Sequence, residues 1–186
     1  MFIWEMALLY SSIMEQIEKA LALALDRHQG QFRKDGRTPY ILHPLRMLLT
    51  LVVDLRIEDP DLITACLLHD TIEDTATDYD DVAEISVRAA DWVTALTDDK
   101  RLPVKERKKV YFDILRKAPP EVRLLKLVDL YDNLRDADNL SSGSRKSFFQ
   151  KKKDFVEMLV ELADPEHREF AVRVGELCRK QMAANA

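Results

Sequence analysis

The stretch Ala65-Cys66-Leu67-Leu68-His69-Asp70-Thr71-Ile72-Glu73-Asp74 places the tightest constraint on this chain. Residues three and four apart on a helix share a face, so a helix here sets His69 over Glu73, and Asp70 over Glu73 and Asp74. Three carboxylates and an imidazole gathered at the end of an apolar segment repel one another unless a cation offsets them. A hard or borderline divalent metal held by nitrogen and oxygen ligands resolves that conflict.

Apolar residues recur at helical spacing along nearly the whole sequence. Ser12-Ile13-Met14-Glu15 has the form of a capping box and precedes the series Ile17, Ala20, Leu21, Ala24, Leu25. This predicts a helix over 12–30, with residues 1–11 a leader of uncertain order. A polar loop follows over 31–40. Further helices are expected over 44–55, 60–74, 78–85, 88–96, 104–117, 120–136, 144–163 and 165–184, several of them opened by proline. No stretch alternates in the manner of a strand, and there is no internal repeat. The chain has 4 glycines and 7 prolines, too few for a fold of many tight turns. The expected class is all-α, a helical bundle without significant sheet, with residues 12–186 as one domain.

At 186 residues, one domain buries roughly 70% of its unfolded surface. The formal charge of -5 gives no general reason to bind a phosphate backbone, so no nucleic-acid partner is expected. The apolar start lacks a basic leader and is too short to span a bilayer, so no membrane partner is expected either. Cys66 and Cys178 form no CxxC pair and read as reduced core residues, consistent with a cytoplasmic location. The sequence is silent on oligomeric state.

Three of the four histidines, His28, His43 and His69, fall in the first seventy residues. Far downstream, Lys126-Leu127-Val128-Asp129-Leu130-Tyr131-Asp132-Asn133 puts Asp129 and Asn133 one helical turn apart. A set of His43, His69, Asp70 and Asp129 offers two imidazoles and two carboxylates. Such a set suits manganese, iron, cobalt or zinc better than calcium, which prefers oxygen alone. An ion there can acidify bound water and polarise a phosphoryl oxygen. Spacing alone leaves blander readings open: His43 as no more than a helix cap, and Asp129 as a satisfied structural carboxylate. His28 is expected behind the ligands or at the surface, His167 in solvent, and Lys151-Lys152-Lys153 on an exposed helix face.

Several motifs together resemble the HD-domain hydrolase of RelA/SpoT-type alarmone enzymes, most closely its small stand-alone SpoT-homologue members. They are Arg33-Lys34-Asp35, Thr38-Pro39-Tyr40-Ile41-Leu42-His43-Pro44, Leu67-Leu68-His69-Asp70-Thr71-Ile72-Glu73-Asp74, Leu96-Thr97-Asp98-Asp99-Lys100 and Lys126-Leu127-Val128-Asp129 through Asp136. The resemblance covers residues 15–162 with the spacing between motifs preserved.

The resemblance implies a metal-dependent (p)ppGpp 3′-pyrophosphohydrolase. Such an enzyme uses Mn²⁺ to release pyrophosphate from guanosine tetra- or pentaphosphate and leave GDP or GTP. It further implies that His43, His69, Asp70 and Asp129 bind one Mn²⁺, that Glu73 and Asp74 are the catalytic acidic pair, and that Arg33, Lys34 and Asn133 meet the nucleotide. Two positions depart from the family pattern: Leu130 stands where Lys or Arg is usual, and Asp132 where His or Tyr is usual. Both are expected to alter nucleotide fit or to add negative charge near the pocket. Arg145 carries over only as a phosphate contact of uncertain alignment. The alternatives are an HD phosphohydrolase for another nucleotide, such as an NADPH 2′-phosphatase, a catalytically silent alarmone sensor, and a structural helical domain that merely binds metal.

Overall fold

Helix α3 (Pro60–Leu68) is apolar on every side, and each residue from Leu62 to Leu68 is buried. A helix of that kind must be surrounded. It is: α1 (Phe2–Arg27), α2 (Leu42–Leu49), α6 (Val87–Leu96) and α8 (Pro120–Asp136) all pack against it. The Asp59 carboxylate accepts the amides of Asp61 and Leu62, and Pro60 occupies the first turn, so the start of α3 is written locally. The computed structural model describes residues 2–137, 140 and 142–185.

The remaining helices are α4 (Thr71–Asp74), α5 (Tyr79–Ala83), α7 (Val104–Lys117), α9 (Ser142–Glu161) and α10 (Arg168–Ala184), with a single 3₁₀ turn at Pro165–His167. Of these, α7, α9 and α10 pack around α8, and α5 packs on α6. Helix α8 touches α2, α3, α6, α7, α9 and α10, and its Leu125, Leu130 and Leu134 are fully buried. Among the described residues there is no strand, only one isolated bridge between Phe32 and Pro39. The expected all-helical class holds.

Several boundaries differ from the sequence reading, two of them in the first two helices. Helix α1 begins at Phe2 rather than Ser12. Residues 2–11 contain neither glycine nor proline, so helix propensity carries through the capping signature, and Glu15 pairs with Lys19 at 2.7 Å along the helix instead of turning back. Helix α2 passes into a π-helical turn at Thr50–Asp54, where the Thr50 hydroxyl donates to the Arg46 carbonyl at 3.1 Å.

Between α1 and α2 the chain makes a tight turn that presents Arg33, Lys34 and Tyr40 to the centre of the molecule. The Asp35 carboxylate accepts the amides of Arg37 and Thr38 and the Thr38 hydroxyl, which pulls its pKa down to about 2. Gly36 adopts φ +70, a conformation that costs other residues a steric penalty.

Candidate active site

Residues 60–74 do not form one helix. The His69 Nδ1 lies 2.9 Å from the Cys66 carbonyl, and the Thr71 hydroxyl donates to the Leu68 carbonyl at 2.8 Å. These side chains satisfy carbonyls that α3 leaves open at its C-terminus, so the helix stops at Leu68 and restarts at Thr71. The expected stacking of His69 and Asp70 over Glu73 and Asp74 on one helical face is therefore corrected. His69 and Asp70 occupy the break, whereas Glu73 and Asp74 belong to the next short helix.

At the break, chemistry from three helical regions meets. The His43 Nε2, from the first turn of α2, lies 3.2 Å from the His69 Nε2 and 3.3 Å from Asp129 Oδ1 on α8. Asp70 Oδ2 lies 2.8 Å from the His69 Nε2 and 3.8 Å from the His43 Nε2. The ligand atoms of His43, His69 and Asp129 all fall within 4.8 Å of one another. Adjacent ligands of a six-coordinate ion, each about 2.1 Å from it, are separated by about 3 Å. The observed separations of 2.8, 3.2 and 3.3 Å are edges of that size.

Hydrogen bonding fixes what those atoms present. A carbonyl can only accept, so the His69 nitrogen facing Cys66 carries the proton. The His43 Nδ1 faces Asp132 Oδ2 at 2.7 Å, and Asp132 is held below the usual carboxylate range despite its burial by His43 and Arg46. Both Nδ1 atoms thus donate outward, which leaves both Nε2 atoms facing inward beside two ionised carboxylates, each able to offer a lone pair to a cation. Burial alone would raise Asp129, but Lys126 and His43 hold it well below the usual range; His69 and His43 do the same for Asp70. The centre is a buried set of electron-pair donors, and it fits a divalent cation. Without one, a proton serves: burial lowers the His43 pKa, but Asp129 and Asp132 outweigh it and push it up to about 9.

A further ring of contacts orients these groups. Arg46 binds Asp132 through Nε at 2.6 Å and Nη2 at 2.9 Å, fixing the carboxylate behind His43. Lys126 Nζ sits 2.8 Å from Asp129 Oδ2. Asn133 donates to Asp129 Oδ1 and accepts from Arg33 Nη2 at 2.9 Å, while Arg33 Nε donates to Asp136 at 3.0 Å. The Tyr40 hydroxyl donates to Asp70, and the buried His28 ring lies against the Tyr40 ring at 4.6 Å. Arg33 and Asn133 are thus engaged with the centre itself. Asp132, expected to bear on nucleotide fit, is buried behind His43 instead, and Leu130 is a fully buried core residue of α8.

Glu73 and Asp74 flank the centre differently. Glu73 Oε2 accepts the Asp98 amide at 3.1 Å, and burial together with the charges of Asp70 and Asp74 raises its pKa against that hydrogen bond. Asp74 is held by Lys100 Nζ at 2.7 Å. A cavity of about 770 Å³ is lined by Lys34, Ser144, Ser147, Phe148, Lys151 and Lys152, among others. Two of the three lysines expected on an exposed face therefore line this cavity, while Lys153 pairs with Glu157 at 3.6 Å. Arg145 directs its guanidinium to the Leu140 carbonyl at 2.9 Å.

Sequence reasoning passed over Tyr40, Arg46, Lys126 and Lys152. Lys126 and Asp132 each lie three residues from Asp129 on one helix, and Arg46 three from His43, a spacing that was legible. Tyr40 and Lys152 reach the centre only through the fold, and no local signal marks them.

Fold and centre together define an all-helical domain built around a histidine–aspartate site suited to a divalent metal. The HD domain model matches residues 20–155. The guanosine-3′,5′-bis(diphosphate) 3′-pyrophosphohydrolase MESH1 of Homo sapiens is 39% identical over 123 residues, 65% of this chain and 69% of that one. Its Drosophila melanogaster counterpart is 34% identical over 138 residues, 73% of this chain and 75% of that one. A solved structure, described as a metazoan ortholog of SpoT that hydrolyzes ppGpp, matches with a TM-score of 0.79 at 29% identity, covering 89% of this chain and 95% of that one. The chain belongs to the HD-domain family and, within it, stands with the small SpoT homologues. Among the described residues, no helix is long and apolar enough to cross a membrane.

Proposed function

We propose that this protein is a Mn²⁺-dependent (p)ppGpp 3′-pyrophosphohydrolase that converts guanosine tetra- or pentaphosphate and water into GDP or GTP and pyrophosphate. The observation that carries the reading is the meeting of the His43 and His69 Nε2 atoms, each ring anchored through its Nδ1, with the carboxylates of Asp70 and Asp129, beside a cavity walled by lysines. The relatives named for this reaction support the substrate.

In this reading His43, His69, Asp70 and Asp129 hold the ion. A divalent cation there supplies the charge that acidifies a water molecule and polarises a phosphoryl oxygen. Asp132 and Cys66 keep both imidazoles in the tautomer that faces the ion, and Lys126 and Asn133 keep Asp129 aimed at it. Glu73, with its raised proton affinity, accepts the proton of the attacking water. Asp74 anchors Lys100, whose charge offsets that of the phosphates. Water oxygen bonds to phosphorus, the P–O3′ bond breaks, and the ribose oxygen takes up a proton. Arg33 keeps Asn133 and Asp136 in place, and Lys34 faces the nucleotide.

The test is incubation of metal-depleted protein with ppGpp, with and without Mn²⁺, reading GDP and pyrophosphate. Manganese-dependent release of both in equal amounts is expected. Release from NADPH but not from ppGpp identifies the other phosphohydrolase reading. Nucleotide binding without turnover identifies a sensor.

A further inference from the structure

One wall of the cavity carries a charge pattern opposite to that of the metal centre. The ammonium groups of Lys34 and Lys152 both approach the face of the same ring, Phe148, at 4.9 and 6.0 Å from its centroid. Lys151 lines the same wall. Among the described residues, no carboxylate lines the cavity and none of these three lysines forms an ion pair. The neighbouring Lys153, by contrast, is paired with Glu157 and lines a separate groove with Val160 and Cys178.

Like charges gathered around one ring repel, and removal from water adds to the cost. The strain is visible in both groups. Burial, then the charges of Arg33 and Lys151, lowers the pKa of Lys34; burial, then the charge of Lys126, lowers that of Lys152. Lys152 also lies in the field of Asp129 and Asp70, and Lys34 in that of Asp129, so this wall feels the charge of the metal ligands. The volume of about 770 Å³ falls within the roughly 300–1,000 Å³ of small-molecule sites.

We propose that Lys152, backed by Lys34 and Lys151 around Phe148, is a specificity-determining anion subsite that holds the outer phosphate of a pyrophosphate group while the inner phosphate faces the metal centre. The inference rests on the reading above for the reaction, but not for the binding. It makes the site selective for a pyrophosphoryl group over a single phosphoryl group, because a single phosphate held at the metal centre leaves Lys152 without an anion. Lys152 thereby offsets the charge of the pyrophosphoryl group as water adds to its inner phosphorus and the P–O3′ bond breaks; the ribose oxygen leaves with a proton, and the released pyrophosphate remains a ligand of Lys152.

The experiment measures equilibrium binding of inorganic pyrophosphate and of orthophosphate to the manganese-loaded protein by dialysis, alongside KM for ppGpp. The variants are Lys152→Met, Lys152→Arg and Lys153→Met, each checked for helicity and metal content. Wild type is expected to prefer pyrophosphate over orthophosphate. Lys152→Met should lose about tenfold or more in pyrophosphate affinity, the scale of one charge-assisted hydrogen bond, with little change for orthophosphate. Lys152→Arg should recover most of it, and Lys153→Met should match wild type. If Lys152→Met retains native helicity and metal and binds pyrophosphate as wild type does, the subsite assignment is wrong even though ppGpp turnover stands. If wild type leaves ppGpp intact yet its pyrophosphate affinity depends on Lys152, the subsite stands and the reaction does not.

Discussion

Asp132 Oδ2 accepts the Nδ1 proton of His43 at 2.7 Å, while both oxygens of the same carboxylate take the guanidinium of Arg46. This pair decides which nitrogen of His43 is free. With the proton held on the Asp132 side, the lone pair faces His69 and Asp129. Reversing the tautomer would turn a proton into the centre and oppose a cation.

Asp132→Asn reverses that polarity, because an amide nitrogen can donate to Nδ1. The variant should bind divalent metal about 10- to 100-fold more weakly than wild type. Competition with a chelator of known affinity measures it. Unchanged affinity would show that Asp132 does not set the tautomer.

Lys126 pairs with Asp129 at 2.8 Å, and both side chains are largely buried, at 14% and 7% exposure. Breaking a buried pair from one side costs about 3–5 kcal/mol. Lys126→Met should lose stability of that order in metal-depleted protein, and markedly less once a divalent cation is present to balance Asp129. Urea unfolding in chelator and in Mn²⁺ gives the two values. Equal losses in both conditions would contradict this account of Asp129.

Glu73 and Asp74 are adjacent but not equivalent. Glu73→Gln should lower kcat by about 10²- to 10⁴-fold, the usual range for a general base, while retaining bound metal. Asp74→Asn should cost less, since its role is to hold Lys100. Turnover paired with metal analysis separates the roles. Depletion of metal in Glu73→Gln to the level of Asp129→Ala would make Glu73 a ligand instead.

The buried Tyr111 hydroxyl donates to the Leu96 carbonyl at 2.8 Å, and burial pushes its pKa up to about 12. An unfolded tyrosine ionises near 10. The folded state therefore holds this proton more tightly. Its contribution to stability is complete below about pH 10 and is lost as pH climbs toward 12. Tyr111→Phe should be less stable near neutrality but lose less between pH 10 and 12. Urea midpoints across that window test the sign.

Helix order and class were legible because apolar spacing, prolines and caps act over a few residues. The Asp59 cap and Pro60 start α3 where the pattern indicates, and the stripe of Lys126, Asp129 and Asn133 can be read from its spacing on α8. The break at His69 was not legible in the same way. It depends on side chains bonding back to the carbonyls of Cys66 and Leu68, which compete locally with continuing the helix.

By itself, then, the sequence determined a helical chain with histidines and aspartates suited to a divalent ion, and it carried motifs specific enough to resemble one family. Only the tertiary structure decided that Asp132 serves His43 from 89 residues away, that Tyr40 reaches Asp70, and that Lys152 lines a cavity with Lys34 and Phe148. The physical reason is range. Helical spacing relates neighbours three or four apart, whereas hydrogen bonds and charges between distant segments exist only once packing of α2, α3, α8 and α9 has brought them within a few ångströms.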